Sequence, residues 1–313
     1  MKLLLTDSDR FPFDEEDRRA IADAGHELVE LPGHEPDEVA VAAASAAAVF
    51  VYHAKLSAEQ VARLDGCRVL ARCGTGYDNI DVPAARGRGI EVVYVPDYGV
   101  DDVSDHALAL LLAVARKVAL SDRAVRAGAW PAYADLGPMR RLRGSVLGLL
   151  GYGRIARALT GKALALGMRV IAHDPFVSEA DVELVGRDVL FREAHVVSVH
   201  VPLSEETRGS VGERELALMQ PGSILVNTSR GPVVDGTALA RALRAGRLAG
   251  AGLDVFEAQP LPDGHLLREC ETAVLTPHSA AYTEESLAEV RKRSLADVLR
   301  VLRGESPLDP VPA

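Results

Sequence analysis

A strand-like apolar run, SVLGLL, leads into Gly151-Tyr152-Gly153-Arg154-Ile155-Ala156 and then into a segment rich in alanine and leucine. Glycine at 151 permits a tight strand-to-helix turn. Glycine at 153 lets the backbone approach a pyrophosphate held at the helix N-terminus. The third position of the pattern is Ala156, whose single methyl still allows close helix–strand packing. Such a turn alone is weak, because glycines after strands are common. Its context strengthens it: Asp174 ends the next strand pattern, where an acid can accept hydrogen bonds from the ribose hydroxyls of adenosine. Its neighbours are His173 and Pro175, with no arginine to neutralise a 2′-phosphate. The unit is therefore expected to bind NAD rather than NADP.

Hydride exchange between such a cofactor and a hydroxy acid needs a cation to orient the carboxylate and polarise the C2 oxygen. It also needs an acid–base group and a neighbour that sets that group's basicity. Candidates stand at strand ends in the second half: Arg230 in NTSRGPVVD, the segment LDVFEAQP and His278 in TPHSA. Open parallel sheets bind their ligands at these ends. Elsewhere a lone arginine is usually a surface charge and a lone histidine a satisfied packing residue. His200 reads as structural or cofactor-lining, and His106, inside a helical pattern, as packing. His53 ends a first-half strand and is a candidate substrate contact. Asp101, Asp102 and Asp105 suit the first turn of a helix.

The elements that must position these groups alternate along the chain. Lys2–Thr6, His26–Leu31, Ala47–His53, Arg68–Cys73 and Ile90–Pro96 read as strands, with helices at Asp14–Ala24, Pro36–Ala46 and Ser57–Leu64 between them. A single long helix is expected from Asp101 to about Ala127, apolar around most of its circumference and so buried on more than one face. A second series follows, with strands at Ser145–Leu150, Arg169–Asp174, His195–His200, Ser223–Thr228, Ala251–Val255 and Ala273–Thr276. The final amphipathic helix spans Glu284–Arg303. Helical crossovers of this length imply parallel sheets covered on both faces. The fold class expected is α/β, with two doubly wound parallel-sheet domains of Rossmann or flavodoxin-like type. Residues 1–98 plus 285–313 would form a discontinuous substrate domain, and 99–284 the NAD-binding domain.

Bulk properties narrow the setting. The 313 residues are 48% hydrophobic, enough for two cores, and the net charge of −10 argues against a nucleic-acid surface. No apolar run approaches the length of a membrane span. The start, MKLLLTDSD, has too few leucines before Asp7 for a signal-peptide core. Cys67, Cys73 and Cys270 show no metal-ligand spacing and suit a reducing compartment. A cytoplasmic protein without a metal is expected.

In order and spacing, the motifs RCGTGYDNID (72–81), RLRGSVLGLLGYGRIA (141–156), VVSVHVPLSEETR (196–208), NTSRGPVVD (227–235), AGAGLDVFE (249–257) and TPHSA (276–280) resemble the D-isomer-specific 2-hydroxyacid dehydrogenase family across essentially the whole chain. VYH (51–53), residues 95–116 and PHSAAYTEES (277–286) look most like the branch containing the C-terminal-binding-protein corepressors. The resemblance implies that Arg230 binds the substrate carboxylate and keto oxygen, and that His278 is the general acid–base. It implies that the backbone at Thr75–Gly76 also holds the carboxylate. Arg154 and Ile155 would present amides to the pyrophosphate, while Pro202, Thr228 and Asp254 would shape the nicotinamide pocket, with Thr207 and Ser229 joining the cofactor set. A homodimer acting on a small 2-hydroxy or 2-oxo acid is the implied assembly.

Two positions depart from the family pattern. The glutamate that pairs with the family's histidine is here Gln259, which can hydrogen-bond the ring but supplies no charge, so a less basic His278 is expected. Three readings of this substitution stand: catalysis with glutamine, as in formate dehydrogenases; Glu257 swinging in instead; or an NAD-sensing protein that has lost turnover. The branch's tryptophan after the PHAA motif is here Ala281, which leaves space for a larger group. Lys55 either adds positive charge to the substrate pocket or is a solvated loop lysine.

Overall fold

In the computed structural model, which describes residues 1–312, the chain divides into two compact units, Met1–Gly99 with Thr283–Ala313, and Val100–Tyr282. The first contains strands β1 (Lys2–Leu5), β2 (Glu27–Glu30), β3 (Ala46–Val51), β4 (Val69–Arg72) and β5 (Glu91–Val93). They form one parallel sheet in the order β2-β1-β3-β4-β5. Its inner strands are continuous apolar runs because both faces are covered: AAAVFV of β3 is buried at every position. One face packs Phe13, Phe50 and Val69 against Val290, Leu295 and Val298 of the terminal helix Glu284–Leu302; the other packs Leu4, Val49 and Leu70 against Val39, Val61 and Ala85. The last helix therefore belongs to the first unit's core.

The second unit contains β6 (Val146–Leu150), β7 (Arg169–His173), β8 (Glu183–Leu184), β9 (Val196–Val199), β10 (Ser223–Asn227), β11 (Leu248–Leu253) and β12 (Ala273–Leu275). Their order is β12-β11-β10-β9-β6-β7-β8, every pair parallel. The chain runs outward from β6 to β7 and β8, then returns to the other side of β6 with β9. The order reverses between β6 and β9, and this is where a doubly wound sheet opens a crevice at its carboxyl edge.

Three expectations are corrected here. The single helix from Asp101 to Ala127 is two helices, Val100–Ala115 and Val118–Arg126, separated at Lys117 with a left-handed φ of 54°. The apolar circumference ends at Ala115, and the second helix buries no residue, so burial on several faces holds only for the first. β11 begins at Leu248, three residues earlier than the pattern suggested, and stops at Leu253. Gly250 and Gly252 lie in the strand where the helix Val100–Ala115 packs directly on it. A Cβ at Gly252 would stand 2.7 Å from Leu110 Cβ, and one at Gly250 would stand 2.6 Å from Val114 Cγ1. The two-residue β8 at the sheet edge is too short to leave a pattern. No helix of the described residues is long and apolar enough to cross a membrane.

Candidate active site

All seven strands of the second unit are parallel, so the residues following them share one edge. Gly151 follows β6, Asp174 follows β7, His200 follows β9, Thr228 to Arg230 follow β10, Asp254 follows β11, and Thr276 to His278 follow β12. Each sequence-predicted group of this unit thus lies at the carboxyl edge or on the loop leaving it.

The dinucleotide turn is built as its glycines suggest. Gly151 has φ 92°, and a Cβ there would meet the carbonyl carbon and oxygen of His200 at 2.8 Å. His200 therefore bears on the turn through its backbone, while its ring nitrogen Nε2 lies 2.8 Å from Ser198 Oγ. Burial lowers the His200 pKa to about 4, which keeps the imidazole neutral. A Cβ at Gly153 would meet nothing within 4 Å, so open space faces the start of helix Arg154–Ala165. The first amides of that helix, including those of Arg154 and Ile155, have no acceptor in the preceding turn, and an anion suits them. Ala156 is fully buried beneath. The Asp174 carboxylate accepts from the amide of Tyr152 at 2.8 Å and of Phe176 at 2.9 Å, which fixes it beside the turn. Tyr152 donates its hydroxyl to Asp181, with Arg157 4.4 Å over its ring, clasping the loop after Asp174. Sequence reading missed this clasp, since an aromatic inside a glycine turn carries no periodic signal.

After β10, buried Asn227 organises the loop. Its Oδ1 accepts from the Ser229 amide and hydroxyl, and its Nδ2 donates to the Arg230 carbonyl at 3.0 Å. Arg230 Nη1 donates to the Ser229 carbonyl at 3.0 Å. Gly231 can be nothing larger, because a Cβ would fall 1.9 Å from the carbonyl carbon of Phe256. Asn227 was not singled out from sequence; a polar residue ending an apolar strand was the available signal. The Thr228 hydroxyl is buried and has no hydrogen-bond partner among the described residues, an orphan that a bound polar group would satisfy. Thr207 braces a turn by donating to the Pro202 carbonyl at 2.7 Å and accepting from the Ser204 amide at 2.7 Å. The open glycine cradle, the fixed Asp174 carboxylate and the orphan Thr228 hydroxyl together fit a dinucleotide cofactor.

His278 adopts a left-handed φ of 56° on the loop after β12. Its Nδ1 lies 2.8 Å from Gln259 Oε1, while Gln259 Nε2 donates to the Phe256 carbonyl at 3.4 Å. The second contact orients the amide, so Oε1 accepts from Nδ1–H and proton exchange with substrate falls to the other ring nitrogen, Nε2. Glu257 is engaged elsewhere: its carboxylate accepts the Gly236 amide at 3.1 Å at the start of helix Gly236–Arg244. The reading in which Glu257 replaces the missing glutamate is thereby corrected, because its carboxylate is held at the start of that helix while Gln259 is the residue on His278 Nδ1. Asp254 is fully buried, with its carboxylate taken up by Thr276, Ser279 and Ala280.

In the first unit the carboxyl edge carries Asp7, His53 and the segment 74–76. Asp7 is fully buried at φ 56° and accepts from the Thr6 hydroxyl at 2.8 Å and the His53 amide at 3.1 Å, with His34 Nδ1 at 2.9 Å from its other oxygen. Burial lowers the His53 pKa to about 4 against the opposing pull of Asp7. Asn79 donates to the carbonyls of Tyr52 at 3.1 Å and Ala54 at 2.8 Å, clamping the RCGTGYDNID segment to the strand end that bears His53. Thr75 is exposed and donates its hydroxyl to the Val95 carbonyl at 3.1 Å, with half-buried Gly76 beside it. Lys55 is exposed and Ala281 half-buried.

Comparison with known proteins bears on the same residues. The family described as D-isomer specific 2-hydroxyacid dehydrogenase, NAD binding domain, matches residues 108–280. The chain is 42% identical over 249 residues to a glyoxylate reductase of Korarchaeum cryptofilum, covering 77% of this chain and 74% of that one. It is 39% identical over 256 residues to a D-3-phosphoglycerate dehydrogenase of Archaeoglobus fulgidus, covering 80% of this chain but only 48% of that longer relative. The crystal structure of the TT0316 protein from Thermus thermophilus superposes with a TM-score of 0.92 at 35% identity over 100% of both chains. The chain belongs to the D-isomer-specific 2-hydroxyacid dehydrogenase family of NAD-dependent oxidoreductases.

Proposed function

We propose that this protein interconverts a small 2-oxo acid and its D-2-hydroxy acid with Arg230, His278 and Gln259 as its catalytic residues. The observation that carries this reading is the 2.8 Å contact between His278 Nδ1 and Gln259 Oε1. It commits one ring nitrogen to support and assigns proton exchange with the substrate oxygen to Nε2. Bound NADH would supply the reducing equivalent delivered to C2. Arg230 binds the substrate carboxylate and stabilises the charge that grows on the C2 oxygen, as a fixed cation does best in a site shielded from water. Protonated His278 then gives its Nε2 proton to that oxygen; in oxidation the neutral ring takes it back. Gln259 Oε1 accepts from Nδ1–H in both states. Backbone groups at Thr75 and Gly76 are the proposed second hold on the carboxylate, and His53 a further substrate contact. Residues 151–155, Asp174, Pro202, Thr207, Thr228, Ser229 and Asp254 serve the cofactor directly or by shaping the segments that hold it.

The intact His278–Gln259 contact favours turnover over a purely NAD-sensing role, since that role needs no such pair. Exposed Val118 (55%), Val125 (49%), Trp130 (88%) and Tyr133 (75%) on a short segment support a homodimer. The test is steady-state oxidation of NADH against 2-oxo acids running from glyoxylate and hydroxypyruvate to branched and dicarboxylic members. Turnover that His278→Ala abolishes supports the reading; tight NADH binding without turnover on any member overturns it in favour of a sensor.

A further inference from the structure

We propose that His106 and Thr276 are positioning residues for His278, acting through Asp254 in a directed chain of hydrogen bonds. Read from sequence, His106 was a packing residue. Its Nε2 instead lies 2.9 Å from Thr276 Oγ1, across 170 residues of chain. Thr276 Oγ1 in turn lies 2.6 Å from Asp254 Oδ1, and His106 Nε2 itself is 3.6 Å from that oxygen.

The direction of the chain follows from counting protons. Asp254 Oδ1 already accepts the Ser279 amide at 2.9 Å and Oδ2 the Ala280 amide at 2.9 Å, so the carboxylate acts as an acceptor. A hydroxyl has one proton, and Thr276 gives it to Asp254. What Thr276 offers His106 is a lone pair, so the ring must carry its proton on Nε2. His106 thereby fixes the hydroxyl rotor that completes the Asp254 acceptor set.

That acceptor set grips the catalytic loop on both sides. The His278 amide donates to the Asp254 carbonyl at 2.8 Å, and the next two amides donate to its carboxylate. His278 sits between these anchors at a φ of 56°, a conformation that a non-glycine residue keeps only when its surroundings impose it. Helix Val100–Ala115, which carries His106, is seated on β11 by the close approach at Gly250 and Gly252. The chain therefore starts from a rigid element and ends at the loop that aims the acid–base ring.

This inference rests on the proposed reaction for its kinetic arm alone. Losing the donor in His106→Leu is expected to lower kcat about tenfold while KM for NADH and the 2-oxo acid stays within about twofold, because aim is lost and binding is not. His106→Gln, whose amide offers a donor in place of Nε2–H, restores most of the loss. Thr276→Val behaves like His106→Leu, and Thr276→Ser restores it. The double variant His106→Leu/Thr276→Val falls no further than the worse single one, as members of one chain are not additive. Singles with unchanged kcat, or a double loss equal to the product of the two, overturn the proposal. Nitrogen-15 NMR of histidine-labelled protein reads the ring without turnover: the Nε2–H tautomer of His106 is expected, and a proton on Nδ1 alone overturns the chain. An inactive wild type would overturn the proposed reaction, and the tautomer would still decide the chain.

Discussion

Each unit buries one aspartate at the carboxyl edge of its sheet, and the two are used differently. Asp7 and Asp254 are both fully buried, Asp7 accepting one backbone amide and Asp254 two from the segment beside it. In the first unit the left-handed residue, φ 56°, is Asp7 itself. There the carboxylate ties the end of β1 to the end of β3, with His34 against it. In the second unit the left-handed residue, also φ 56°, is His278, and Asp254 lies below it as support. The same chemistry, a buried acceptor-only side chain taking up backbone amide donors, closes an edge in one case. In the other it holds up a loop whose His278 remains half-buried and paired with exposed Gln259. What separates a braced edge from a working one is whether the strained residue is the brace or the group being braced.

The largest effect expected falls on the group being braced. His278→Ala should lower kcat about a thousandfold by removing the proton exchange, with NADH affinity little changed, measured by steady-state kinetics beside a fluorescence titration of NADH. Comparable turnover in the variant would remove His278 from the mechanism. The braces come next. Asp254→Asn turns an amide donor towards the loop amides and should cost about a hundredfold in kcat through lost aim. Asp7→Asn should instead lower stability by about 2 kcal/mol, with only a few-fold change in kcat. Denaturant unfolding and kinetics on both variants test the contrast, and an exchange of the two phenotypes would break it.

A smaller effect is expected at the histidine's partner. Gln259→Glu places a carboxylate where a neutral amide now accepts from Nδ1–H, favouring the charged ring, so the apparent pKa of the acid–base group should rise by about one unit. Hydroxy-acid oxidation needs the neutral ring and is lost as pH falls through that pKa. Wild type should therefore hold oxidation to lower pH than Gln259→Glu, and 2-oxo acid reduction should extend to higher pH in the variant. Superimposable pH profiles would contradict the role given to Gln259. The smallest effect concerns stability in acid. Burial lowers His53 and His200 to about 4 in the folded state. Between the unfolded value near 6.5 and about 4 the unfolded chain binds more protons, so stability should decline as pH falls through that window and level off below it. His200→Gln should flatten part of the decline, by roughly 1–3 kcal/mol. An unchanged slope would show that His200 does not contribute.

Much of the second unit's edge was readable from sequence because its requirements are local. A turn at φ 92° demands Gly151, and a strand-ending acid, arginine or histidine can be located by counting from an apolar run. The first unit's strands were legible for the same reason, buried runs such as FVY needing no partner to be recognised. Contacts between distant segments were not legible. His34 against Asp7, Asn79 clamping Tyr52 and Ala54, and His106 reaching Thr276 join residues without shared periodicity. The break at Lys117 was hidden because alanine, leucine and valine continue on both sides of it, though only the first helix finds a surface to cover. The start of β11 at Leu248 was hidden for the opposite reason: the glycine at 250 reflects an approaching helix, which no local pattern shows.

The central claim is that the edge of the second unit transfers hydrogen between nicotinamide and C2 of a small acid under the control of His278. The most direct test supplies NADH deuterated at the transferring position of the nicotinamide with the best 2-oxo acid of the panel, and analyses the product by mass spectrometry and chiral chromatography. One deuterium at C2 of a D-2-hydroxy acid, formed by wild type and not by His278→Ala, is the predicted result. A product without deuterium, a product of L configuration, or equal yields from wild type and His278→Ala would contradict the account.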